Sequence, residues 1–348
     1  MQLEDIYSVV NIPAKLDNYS LYTDTISVAF AKTDFVYSFV HFGPDLFPGN
    51  FIDNIKTYLN QSVNGIHTNY VCFYSPMLPG CEFKELEKKY DNFVYYHQPL
   101  IAFGQIPNHV DVDSEPHVHI QTEYTKNYCC LINRSTDTRR QLFNFLQEKN
   151  LLELGYVSYR NVSRSVVNIN VEKLNNDTSH LLVKPYKNFK DAQYTDDYSD
   201  NPRKYLWYFP LLDFLFDFSI ETYTEDDDFP LFLTEKSRKA FFWGKIPVST
   251  SSRNLMHYIE QFGFDIFRDV VDYKYDIQRD PMVRMELYLQ EIHKLATMDI
   301  NTISNLENRL ENNRRLMYTL VKRSQTTLEN INLNNKYIVE NRDKFLGY

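Results

Sequence analysis

The tripeptide Thr234-Glu235-Lys236 sets a hydroxyl, a carboxylate and an ammonium side by side directly after the short apolar run Leu231 to Leu233. Threonine is a good helix N-cap, so the sequence predicts a helix from Thr234 to Trp243, ended by Gly244, with Glu235 and Lys236 in its first turn. There the helix dipole and the Lys236 ammonium both favour phosphate, and the Glu235 carboxylate can accept a pair of hydroxyl donors. Upstream, Glu221-Thr222 follows the strand-like run Phe214 to Ile220 and brings a second carboxylate to the same region. A separate polar loop, Asn133-Arg134, follows the apolar run Tyr128 to Ile132, with Arg140 close behind. Taken alone, Thr-Glu-Lys usually means helix capping and nothing more. The functional reading beside it is a diphosphate held by the Lys236 ammonium and the helix amides, with Glu221 delivered nearby by its strand.

Other residue types suggest other chemistry. Asp111-Val112-Asp113, followed by Glu115, His117 and His119, has the Asp-x-Asp form with which two carboxylates hold a divalent ion against a leaving diphosphate. Alternating His117-Val118-His119 also reads as one polar face of a strand. The run Asp226-Asp227-Asp228 offers oxygens to a hard cation, although three consecutive loop carboxylates are ordinarily solvated. His41 and Asp45 follow a strong strand, at the place where loops build α/β sites, and are the candidates for a general base. The four cysteines have neither a disulfide framework nor paired CxxC spacing, and read as buried small hydrophobes in a reducing compartment.

The segments Ser219-Ile220-Glu221-Thr222, Thr234-Glu235-Lys236, Ala240, Gly244 and Pro247-Val248 resemble the donor-site signature of fucosyltransferase-type GT-B enzymes. They are more similar still to a group of glycosyltransferases encoded by tailed bacteriophages. In that group a Thr-Glu-Lys helix precedes a glycine, a proline-containing strand and a stretch like Ile259 to Phe267. Leu131-Ile132-Asn133-Arg134 and Arg140 resemble the strand, loop and helix that enter the family's donor domain. The similar parts cover roughly residues 128 to 320.

The resemblance implies an α/β chain with a GT-B-like fold: two Rossmann-like domains facing across a cleft, with a helical C-terminus. It implies transfer of a sugar from a nucleotide-diphosphate donor without a metal, the nucleotide sugar being a co-substrate rather than a cofactor. By position, Glu235 would bind the ribose, Lys236 and Arg134 the diphosphate, and Glu221 the donor sugar or nucleotide, with Asn133, Arg140, Thr222 and Thr234 completing the site. The acceptor stays open between a hydroxylated base in phage DNA, a glycan and a protein. The chain departs from the pattern at Ser237-Arg238-Lys239-Ala240, where relatives tend to have a Trp-Lys-Pro-like run, and at Ser249 to Ser252, which replaces a glycine-bearing turn. Two readings compete: a metal-dependent GT-A-type transferase using Asp111 and Asp113, and a non-catalytic module that binds glycan or protein through its aromatic surface.

Elements able to position these residues are legible as alternating strands and helices. Asp34 to Phe42, Asn69 to Tyr74 and Asn92 to Tyr96 read as strands, and Phe51 to Val63 and Glu82 to Tyr90 as helices. After the proline- and histidine-containing stretch Pro99 to Tyr124, a second unit follows: strand Tyr128 to Ile132, helix Arg139 to Lys149, strand Phe214 to Ile220, the helix at Thr234, an extended Ile246-Pro247-Val248, and helix Arg253 to Phe262. From Pro281 onward the chain reads as consecutive helices. The expected domains are residues 1–125 on the acceptor side, 126–290 for the donor, and 291–348 as helices completing the second domain.

Composition agrees with a folded two-domain chain. The 348 residues are 43% hydrophobic and 16% aromatic, which argues against disorder. The net charge of -9 is concentrated between Asp191 and Asp228, where eleven acids face two bases, leaving the remainder neutral overall. Local basic patches are therefore compatible with a polyanion. The candidates are Arg309, Arg314, Arg315, Lys322 and Arg323, otherwise a solvated helix face, with Arg139, Lys184, Lys187 and Lys190. No run of 18 apolar residues and no basic-then-apolar leader occurs, which predicts a cytoplasmic protein without a membrane span.

Overall fold

β-branched and aromatic runs separated by short amphipathic stretches give a mixed α/β chain with parallel strands in each of two sheets. The computed structural model describes residues 9–10, 20–22, 28–33, 35–41, 51–63, 66–75, 81–98, 124–132, 136–161, 164–167, 213–221 and 235–341. The chain divides into two compact units, Met1–Gln105 with Leu320–Tyr348, and Ile106–Thr319.

In the first unit, β1 (Val9–Val10), β2 (Ser20–Tyr22), β3 (Val28–Thr33) and β4 (Val36–His41) form an antiparallel meander. Only Asp34 and Phe35 separate β3 from β4, too few residues for a parallel crossover, so a hairpin is forced. After α1 (Phe51–Leu59) and the small β5 (Ser62–Val63) and β6 (Ile66–His67) ribbon comes β7 (Tyr70–Ser75), then α2 (Cys81–Lys89) and β8 (Phe93–His97). These helical crossovers make β4, β7 and β8 parallel neighbours. The sheet is therefore Rossmann-like over only half its width, a distinction that apolar periodicity does not encode.

β7 is buried along its whole length. One face, Val71 and Phe73, packs on Ile55, Tyr58 and Leu59 of α1 and on Phe83 and Leu86 of α2, with Phe73 stacked 4.8 Å from Phe83. Two buried asparagines tie the strand starts to α1: Asn92 donates to the carbonyls of Leu59 (3.1 Å) and Asn69 (2.8 Å), and Asn69 to that of Tyr58 (3.1 Å). Such bonds satisfy backbone carbonyls that burial would otherwise leave unpaired.

The second unit contains β9 (Lys126–Ile132), α3 (Asp137–Glu148), β10 (Gly155–Asn161), β11 (Arg164–Val167), β12 (Phe214–Ile220), α4 (Glu235–Phe242), β13 (Ile246–Thr250), α5 (Leu255–Gln261) and α6 (Pro281–Thr297). Its sheet has the order β11-β10-β9-β12-β13 and is parallel except for β11. All seven residues of β12 are buried, as expected for a central parallel strand covered on both faces.

Helix α4 ends in a Schellman arrangement: Gly244 has φ +60°, and the Lys245 amide donates to the Ala240 carbonyl at 2.8 Å. α6 locks against the sheet through Tyr288, whose buried hydroxyl reaches the carbonyls of Ser219 (3.0 Å) and Val248 (2.9 Å). Its C-terminal carbonyls are met by Asn127 of β9, 3.0 Å from Ala296 O and 2.8 Å from Met298 O.

The last helix, α7 (Leu306–Glu340), contributes residues to both units. Among the described residues no helix is long and apolar enough to cross a membrane.

Candidate functional site at the carboxyl edge of the second sheet

The connection from β9 through α3 leads to β10 on one side, whereas that from β12 through α4 leads to β13 on the other. Adjacent parallel strands whose crossovers depart in opposite directions open a crevice at their carboxyl ends, the position where open α/β sheets bind ligands. The two segments singled out in the sequence flank this switch point: β9 ends at Ile132, immediately before Asn133-Arg134, and β12 ends at Ile220, immediately before Glu221.

Arg139 braces the switch point between β9 and β12. Thr136 caps α3 by accepting from the Arg139 amide (3.4 Å), which sets this residue in the first turn. Its buried guanidinium then donates to the Ile220 carbonyl from Nε (3.3 Å) and Nη2 (3.0 Å). Arg139, one of the residues that could contribute to a basic groove, is committed to a strand end. Arg309 of the same proposed basic set binds Asp265 (2.6 Å) and Asp269 (2.7 Å) and lies 4.1 Å from the Phe267 ring, while Arg314 and Arg315 pair with Glu311. These three arginines are neutralised locally, so the run is not a bare cationic face.

Glu221 is 2% exposed and its backbone amide continues the ladder onto Thr250 O at 2.9 Å. Its Oε1 accepts from the Ser237 amide (3.2 Å) and hydroxyl (2.7 Å). Ser237 is the third residue of α4, so a carboxylate from a neighbouring strand serves an amide that an N-cap side chain ordinarily serves. Its Oε2 lies 3.7 Å from Lys236 Nζ, with the lysine side chain 26% exposed. Lys236 is thus an ion-paired, partly exposed ammonium in the first turn of α4, at the carboxyl edge of the sheet.

One turn deeper, Lys239 Nζ meets Asp217 Oδ2 at 2.6 Å. Asp217 is wholly buried in β12; burial raises its carboxyl pKa and the Lys239 charge opposes the rise. This pair anchors α4 to β12 beneath Glu221. Sequence reading saw Ser237 and Lys239 only as departures from a family pattern, because their partners lie sixteen and more residues away in the chain.

The remaining candidates are distributed as follows. Arg140 is an exposed residue of α3 paired with Asp137 at 2.8 Å. Glu235 is the first residue of α4 and His41 the last of β4. Asp45, Asp111, Asp113, Asn133, Arg134, Thr222 and Thr234 lie outside the described residues. Among the described residues no cluster of three or more His, Cys, Asp or Glu could hold a metal. Cys72, Cys129 and Cys130 are buried free thiols, and burial pushes Cys72 and Cys130 up to about 12.

Sequence reading also missed Lys245, at the opposite, amino-terminal edge of the sheet. It is 2% exposed, donates to the Phe214 carbonyl (2.8 Å) and lies 4.6 Å from the Phe214 ring and 5.4 Å from that of Tyr124. Burial lowers its pKa to about 7, against an opposing contribution from Asp213. Comparison of the chain with family models, with curated proteins and with solved structures gives no match.

Proposed function

We propose that this chain is a glycosyltransferase that binds a nucleotide-diphosphate sugar at the carboxyl edge of its second sheet. The observation that carries the reading is Lys236, in the first turn of α4, held by Glu221 beside the β9/β12 switch point. In this reading Lys236 and Arg134 take the diphosphate, Glu235 the ribose hydroxyls, and Asn133, Arg140, Thr222 and Thr234 complete the donor site. Glu221 orients α4 through Ser237 and fixes the Lys236 ammonium, so its contribution to donor binding runs through that geometry.

In this reading, charge developing on the departing diphosphate is met by the Lys236 ammonium and the start of α4, which is how such a site lowers a barrier. The GT-B-like reading assigns the acceptor to the first unit, with His41 or Asp45 taking the acceptor proton. Saturation-transfer NMR against uridine, guanosine, adenosine and thymidine diphosphate sugars in excess chelator tests the proposal. Transfer to one nucleotide class, competed by the matching nucleoside diphosphate, is expected. Absence of transfer across the panel contradicts it, and transfer only with added divalent metal assigns the chemistry to Asp111 and Asp113 instead.

A further inference from the structure

β13 runs into Ser251-Ser252-Arg253-Asn254 before α5 begins. This turn is held rigidly from below. Arg284, 2% exposed, donates to the Ser251 carbonyl (3.0 Å), Tyr275 to that of Ser249 (3.2 Å), and the Asn254 amide bonds the Asp276 carbonyl (2.8 Å). The Asp276 carboxylate accepts from the amides of Met256 (3.1 Å) and His257 (3.1 Å), so the start of α5 is already served. Asn254 turns the chain in the left-handed region at φ +67°.

Within this turn two side chains have polar atoms without a hydrogen-bond partner among the described residues. Ser252 is 2% exposed, and its Oγ is one of them. The Nε of Arg253 is likewise buried without a partner, and Arg253 forms no ion pair among the described residues. A buried hydroxyl and a guanidinium normally find acceptors, because leaving them unmet costs stability. The turn is also next to the donor-site elements, since Thr250, the last residue of β13, accepts from the Glu221 amide and Glu221 holds Lys236.

We propose that Ser252 and Arg253 form an oxyanion subsite at the carboxyl end of β13 that takes a phosphate group of a nucleoside diphosphate. A phosphate oxygen accepts from Ser252 Oγ and Arg253 Nε, two unmet donors that are enclosed in the free protein on a turn whose backbone is held by the bonds above. The subsite extends the cationic edge from Lys236 across β12 to β13. That its ligand is a nucleotide rests on the donor reading above; that it takes a phosphate oxyanion does not.

Calorimetric titration of the full chain with inorganic pyrophosphate and with the four nucleoside diphosphates tests this in wild type, Arg253→Gln, Arg253→Lys and Ser252→Ala. Arg253→Gln is expected to weaken binding at least tenfold, Arg253→Lys less, and Ser252→Ala several-fold. Melting of all three variants should match or exceed wild type, because Ser252 Oγ and Arg253 Nε have no hydrogen-bond partner among the described residues. Arg253-dependent pyrophosphate binding with no nucleotide binding upholds the subsite and removes the donor reading. Nucleotide binding that Arg253→Gln leaves unchanged overturns the subsite and leaves the donor reading standing. Failure of wild type to bind either ligand overturns both.

Discussion

The Glu221 carboxylate at the end of β12 accepts from both the amide (3.2 Å) and the hydroxyl (2.7 Å) of Ser237 in α4. A hydrogen bond to a buried charge is worth about 1.5–3 kcal/mol. Ser237→Ala removes the hydroxyl donor and leaves the amide, so urea unfolding should show a loss in that range. A loss below a few tenths of a kcal/mol would mean that Glu221 does not organise α4.

Asp217 and Lys239 form an ion pair with the carboxylate fully enclosed, and Asp217 Oδ1 has no hydrogen-bond partner among the described residues. Breaking a buried pair from one side strands a charge, which costs about 3–5 kcal/mol. Lys239→Met should therefore be severely destabilised, while Asp217→Leu with Lys239→Met together should recover most of the loss. A double-mutant cycle by denaturant unfolding measures this directly, and additive losses would contradict the pairing.

Lys245 gives a signed pH dependence. Its folded pKa of about 7 lies below the ordinary value of 10.5, so between these values the unfolded chain binds more protons. Its contribution to stability is full above 10.5 and is lost as pH falls through about 7, with a slope of up to about 1.4 kcal/mol per pH unit. Urea midpoints of wild type against Lys245→Met between pH 7 and 8.5 should converge in favour of wild type as pH rises. Buried thiols such as Cys130, whose raised pKa acts in the opposite sense, do so above their ordinary value of 9.0 and so outside this window. A pH-independent difference would place the Lys245 charge in contact with solvent.

Gly155 opens β10 against the Tyr128 ring. A Cβ there would lie 2.4 Å from Tyr128 Cε2 and Cζ, and the ring is held by its hydroxyl bond to Leu151 O at 2.9 Å. Gly155→Ala should cost about 1–3 kcal/mol through overpacking, and less in a Tyr128→Leu background. Equal losses in both backgrounds would show that the ring is not the obstacle.

Local signals account for what was legible in the sequence. Phe214 to Ile220 was readable as a strand because Phe214, Phe216, Phe218 and Ile220 place apolar residues at every second position, and Gly244 was readable as a helix stop because its left-handed φ suits glycine. The helices at Phe51, Cys81 and Asp137 begin within two residues of expectation. β10 and β11 went unread, since Gly155-Tyr156-Val157-Ser158-Tyr159 alternates too weakly to outweigh its polar content. The site was legible as residue types but not as bonds: Glu221 with Ser237, Asp217 with Lys239 and Arg139 with Ile220 join residues far apart in the chain. The pairing of Arg309 with Asp265 and Asp269 was not legible either, because those carboxylates lie forty and more residues earlier.

The most direct test of the account is the donor affinity of Lys236→Ala, measured by calorimetry with the nucleotide sugar that wild type binds and with melting as the control for folding. The side chain is partly exposed and stands 3.7 Å from Glu221, so the fold should persist. Removal of a charge placed on the diphosphate should weaken binding at least tenfold, or about 1.4 kcal/mol. Wild-type affinity in a folded Lys236→Ala protein would contradict the assignment of the donor to the carboxyl edge of the second sheet.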